Sequence, residues 1–159
     1  MTVEAGQVMK IYLAGPLFSE AEQNWLRETK NRMVELAKQL HKEVKVIWPY
    51  ELIAPEELAS LGPKAPFEIF SRCKAELETT DILVALLDGS QVDDGTAWEI
   101  GYFCARRSEG SHLIGIRTDF RNAGDTPFSK VNVMIEAACD TIARSSEELY
   151  TILCGVLNK

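Results

Sequence analysis

The chain has 159 residues, 46% hydrophobic and 26% charged, a composition that suits one folded domain able to complete its core without disulfides or metal. Its 24 acidic residues outweigh 17 basic ones for a net charge of −7, which argues against a nucleic-acid polymer as partner, because Lys and Arg against phosphate supply most of that affinity. The longest apolar run, Ile82 to Leu87, is far shorter than the ~20 residues of a membrane span, and Met1–Gln7 lacks the basic start and apolar run of a secretory signal, so a cytoplasmic location is expected.

Met9–Ala14 predicts a first strand, closed by a turn at Gly15-Pro16. Ser19 and Glu22 have capping-box spacing and open a helix whose apolar stripe runs through Ala21, Trp25, Met33, Leu36, Ala37 and Leu40. Val44–Trp48 is a second strand halted by Pro49. Residues 51–65, with Pro55, Gly62 and Pro63, predict a loop with at most a turn or two of helix, and Pro66 suits the first turn of a helix reaching about Thr80. The run Asp81–Asp88, apolar between its bracketing acids, predicts a central strand covered on both faces. A polar loop, Gly89–Gly95, leads into a helix from Thr96 to about Arg107. Then come a strand at His112–Arg117, a loop over 118–129, a helix at Val131–Ala138, a short strand at Thr141–Ala143 and a closing helix from Ser145 to Leu157. The alternation predicts an α/β fold of the doubly wound, flavodoxin-like kind, a five-stranded parallel sheet with helices on both faces, in a single domain with its core at about 9–155.

In such sheets the ligand crevice lies beyond the carboxyl ends of the strands. Three segments meet that condition: Gly15-Pro16-Leu17-Phe18, the Trp48-Pro49-Tyr50 turn and the loop from Asp88 to Gly95. No G-x-G-x-x-G, Walker-type phosphate loop or G-x-S-x-G elbow is present. Cys73, Cys104, Cys139 and Cys154 show no C-x-x-C spacing, and only His41 and His112 could join them, so reduced thiols are expected and no metal. The segment Asp93-Asp94-Gly95-Thr96-Ala97-Trp98-Glu99-Ile100-Gly101-Tyr102 carries three carboxylates at a strand-to-helix junction, with Gly95 allowing close approach of a ligand. Spacing leaves two readings of it. Thr96 and Glu99 form a capping box and the aspartates complement the helix dipole, or Glu99, walled by apolar neighbours, is a carboxylate aimed at an electrophilic carbon.

Together with Ile11-Tyr12-Leu13-Ala14-Gly15-Pro16, the central strand and Val131-Asn132-Val133-Met134-Ile135-Glu136, this segment resembles the nucleoside 2-deoxyribosyltransferases over nearly the whole chain. The resemblance implies transfer of a 2-deoxyribosyl group between nucleobases, through a covalent glutamyl–sugar intermediate and with retained configuration, with no cofactor. It implies Glu99 as nucleophile and Tyr12 as the tyrosine that orients it. Asp93 would bind sugar hydroxyls, Phe18 would pack on the base, and Gly15 and Gly95 would line the substrate site. Asn132 and Met134 would reach that site from a neighbouring subunit, making the active unit a homo-oligomer whose small-molecule partners are a deoxynucleoside and a free nucleobase. Cys73 stands where the family usually has an aspartate that protonates the departing base, with Asp94, Arg72 and Lys74 as candidates to compensate. The competing readings are a hydrolase of nucleosides or nucleoside 5′-monophosphates in the same superfamily, and a non-catalytic nucleoside-binding module.

Overall fold

A computed structural model describes residues 8–159, so the reading of Met1–Gln7 lies outside the described residues. Five strands, β1 (Met9–Ala14), β2 (Val44–Ile47), β3 (Ile82–Leu86), β4 (His112–Ile116) and β5 (Thr141–Ala143), pair in parallel in the order β2-β1-β3-β4-β5. Six helices cover the faces: α1 (Glu20–Gln39), α2 (Pro55–Leu61), α3 (Ala65–Leu77), α4 (Asp94–Arg106), α5 (Val133–Ala138) and α6 (Ser146–Leu157). Among the described residues no helix is long and apolar enough to cross a membrane.

The two-residue period of the strands divides the core. Ile11, Leu13, Ile82, Val84 and Leu86 face the side packed by α1 and α6, whereas Tyr12, Ala14, Leu83, Ala85 and Leu87 face the side that buries Leu77 of α3 and Ile100 and Phe103 of α4. β3 is buried along its whole length, as its unbroken apolar run requires. The strand order reverses direction between β1 and β3, so a crevice opens there at the carboxyl ends. Gly15 lets β1 turn at that crevice: a Cβ on it would stand 3.0 Å from Leu26 Cδ2 and 3.2 Å from Leu86 Cβ.

Local signals set the helix starts, with some departures from expectation. Ser19 and Glu22 form the reciprocal capping box. The stripe that α1 buries is Leu26, Thr29, Met33 and Ala37, turned slightly from the predicted one, which omitted Leu26. The segment 51–65, expected as a loop with at most a turn or two of helix, holds α2 and a 3₁₀ turn at Gly62–Lys64, and a further 3₁₀ turn, Pro49–Glu51, leads into it; each proline sits in the first turn of its helical segment, where its missing N–H is unneeded. α3 ends at Leu77 rather than Thr80, and α4 starts at Asp94 rather than Thr96.

Candidate active site

β1 and α4 meet at one hydrogen bond. Tyr12, fully buried on β1, donates its hydroxyl to Glu99 Oε1 on α4 at 2.5 Å. The capping-box reading of Glu99 fails. Asp93 caps α4, its Oδ2 accepting from Thr96 N–H and Thr96 Oγ1 at 2.9 Å each, and Thr96 lies buried at the third helical position. Glu99 therefore projects from the second turn toward the sheet, and its Oε2 accepts no hydrogen bond among the described residues.

Glu99 lines an open cavity of about 310 Å³ with Gly95, Trp98, Pro66, Ile69, Phe70 and Cys73. Its outer wall is aromatic: Phe70 meets Trp98 edge-on at 5.4 Å, and Trp98 stacks on Tyr102 at 5.0 Å. Burial among these groups and the neighbouring charge of Asp93 push the Glu99 carboxyl up to about 7, while the Tyr12 hydrogen bond pulls it partly back. Burial and the adjacent carboxylate hold the Tyr12 phenol far above its usual value, so it stays a donor. Cys73 lies beside both; burial pushes its thiol up as well, which keeps it neutral.

Ile69 and Cys73 also border a second, strongly apolar cavity of about 340 Å³, lined by Leu17, Tyr50, Leu52, Ile53 and Leu58 among others. Trp48 fixes this side: it is 2% exposed, stacks on Tyr50 at 4.8 Å and lies under the Arg27 guanidinium at 5.7 Å. The two cavities join the three chain segments that the sheet topology selects.

Other candidates fall elsewhere. Phe18 lines neither cavity and is 77% exposed; a hydrophobic staple is impossible because the partner position is Gln23. Leu17 takes the inward place instead. Asn132 caps α5, accepting from Met134 N–H at 3.0 Å, and borders a different cavity with Asp94 and Asp125; the Met134 side chain is 77% exposed. Within one chain neither reaches Glu99. Arg72 is engaged by Glu57, Glu68 and the Leu52 carbonyl, and Lys74 by Glu78, so neither compensates at Cys73. Leu17 belongs to a segment that the sequence reading placed at the crevice, whereas Leu52, Ile53, Leu58, Ile69 and Phe70 were left out. For Leu58, Ile69 and Phe70 the signal was an apolar excess on outward-facing helix positions, visible only once α2 and α3 are placed.

The profile of the family described as "Nucleoside 2-deoxyribosyltransferase" matches residues 11–139. The chain belongs to the nucleoside 2-deoxyribosyltransferase family. An uncharacterized protein of Ureaplasma parvum serovar 3 is 33% identical over 120 residues, spanning 71% of this chain and 72% of that one. The deoxyribosyltransferase fold is shared by a 2-deoxyribosyltransferase of Bacillus psychrosaccharolyticus, at TM-score 0.66 and 21% identity over 91% of this chain and 95% of that one. A 2-deoxyribosyltransferase of Leishmania mexicana superposes with TM-score 0.64 and 21% identity over 92% and 97% of the two chains. Membership of this family places the chain among enzymes of glycosyl transfer.

Proposed function

We propose that the protein moves a 2-deoxyribosyl group between nucleobases through a covalent ester on Glu99. The observation that carries this reading is a half-buried carboxylate that lines a cavity beyond the sheet, held by Tyr12 through Oε1 with Oε2 unpartnered among the described residues. Breaking the N-glycosidic bond leaves an oxocarbenium-like C1′, and a carboxylate fixed beside it stabilises the developing charge and closes on it. The base's electron pair departs with the base. A second base then attacks C1′ and releases Glu99, and two inversions give retention.

Tyr12 orients Glu99 and lowers its basicity enough for the ionised form to exist near neutral pH. The Oδ1 of Asp93, which has no partner among the described residues, is free to accept a sugar hydroxyl, and a carboxylate there disfavours a 5′-phosphate. Gly95 keeps the cavity floor open for the sugar, and Gly15 holds the β1 turn that shapes its edge. Asn132 and Met134 would complete a site only on a second copy of the chain, consistent with their exposure here. A homo-oligomer follows from that assignment, with a deoxynucleoside and a free nucleobase as its small-molecule partners.

The test is base exchange. Incubation with a deoxynucleoside and a different free base is expected to give the swapped nucleoside. Free deoxyribose alone would mean that water takes the acceptor's place, and no product from any deoxynucleoside would leave a binding module.

A further inference from the structure

Resting on the glycosyl-transfer reading, we infer that the site is built for bases that leave without protein protonation and carry an apolar edge, namely uracils substituted at C5. The apolar cavity of about 340 Å³ touches the Glu99 cavity at Ile69 and Cys73, so a sugar over Glu99 directs its base into it. Among the described residues lining the two cavities, only Tyr50, Cys73 and Glu99 carry a dissociable proton. Glu99 is committed to C1′. A phenol and a buried thiol are far weaker acids than a carboxyl, so they transfer little proton to a departing base at neutral pH.

The other ionisable groups nearby are engaged elsewhere. Asp94 borders the cavity of Asn132, Asp93 caps α4 through Oδ2 and keeps Oδ1 for the sugar, and Arg72 and Lys74, weak acids in any case, are paired with glutamates. Adenine and cytosine are basic and depart well only when protonated. A uracil departs as its N1 anion, with the charge spread onto O2 and O4. The Glu99 oxygen bonds to C1′, the C1′–N1 bond breaks with its pair held on the ring, and water supplies the neutralising proton after release. The apolar walls of Leu52, Ile53, Leu58 and Ile69 suit a methyl, halogen or trifluoromethyl at C5, and the halogen and trifluoromethyl also make N1 of the free base more acidic and so a better leaving group.

A series of deoxyuridines bearing hydrogen, methyl, fluorine or trifluoromethyl at C5 tests this, alongside deoxyadenosine and deoxycytidine, as kcat/KM at pH 7.5. The expected result is a steep rise with acidity of the base, about tenfold or more from thymidine to the trifluoromethyl analogue, with deoxyadenosine at least about tenfold below thymidine. Cys73→Asp is expected to raise the ratio of deoxyadenosine to trifluoromethyl turnover about tenfold below neutral pH. Rates independent of base acidity, or Glu99-dependent turnover of deoxyadenosine matching thymidine, would overturn this inference and leave transfer itself intact. Failure of every nucleoside would overturn both.

Discussion

Two carboxylates flank the loop between β3 and α4, and the protein treats them in opposite ways. Asp88, just past β3, is saturated: Oδ1 accepts from Thr118 N–H at 2.6 Å and Asp119 N–H at 2.9 Å, and Oδ2 accepts from the Thr118 hydroxyl. Arg117, buried beside it, donates to the carbonyls of Leu87, Gly89 and Arg121 and so ties the β3 loop to the β4 loop. Glu99, one helical segment later, has a single donor and an apolar cavity. Saturation makes a carboxylate structural. Under-satisfaction leaves it basic, destabilising and available to react.

The contrast is broken most sharply by Glu99→Gln. Base exchange is expected to fall about 10⁴-fold, as for other covalent nucleophiles, and assay of initial rates checks it. The same variant is expected to be more stable than the parent above neutral pH. The Glu99 carboxyl is raised in the fold from 4.5 to about 7. Its contribution is therefore fully present below about pH 4.5 and lost as pH rises through about 7. Removing the ionisation should return about 2 kcal/mol at pH 8, read as a higher midpoint in denaturant. Asp88→Ala should do the reverse, costing about 2–4 kcal/mol because it strands the donors it now satisfies, with urea unfolding as the measurement.

Tyr12→Phe sharpens the comparison by removing the one donor Glu99 has. Exchange is expected to drop about 10- to 100-fold, and the acid limb of the pH profile should move upward, since the lost hydrogen bond held the carboxyl down. A merely structural tyrosine would leave that limb in place. The smallest effect belongs to Asp93→Asn, which keeps a capping side chain but removes the like charge beside Glu99. Here the limb should move downward, with a stability change below about 1 kcal/mol.

The sheet was legible because each strand is a short apolar run between turn residues, and β3 advertised its double burial by carrying no polar position. The crevice followed from topology. Spacing favoured Thr96 as the α4 cap because Thr96-x-x-Glu99 fits a capping box, but Asp93 is an equally good N-cap residue type and its side chain takes the Thr96 N–H. The Tyr12–Glu99 bond spans 87 positions, beyond any local periodicity, and came into view only through resemblance to a family. The walls from α2 and α3 stayed hidden behind Pro55, Gly62 and Pro63, read as breakers although Pro55 and Pro63 begin helical turns.

Everything chemical here depends on Glu99 forming a bond to the sugar. Acid quenching of the protein with a deoxynucleoside and no acceptor base, followed by peptide mass spectrometry, reads that bond directly. One 2-deoxyribosyl adduct on the peptide containing Glu99, lost on adding a free base, is the predicted result. Continued release of base with no adduct on any residue, or with an adduct on a residue other than Glu99, would contradict it.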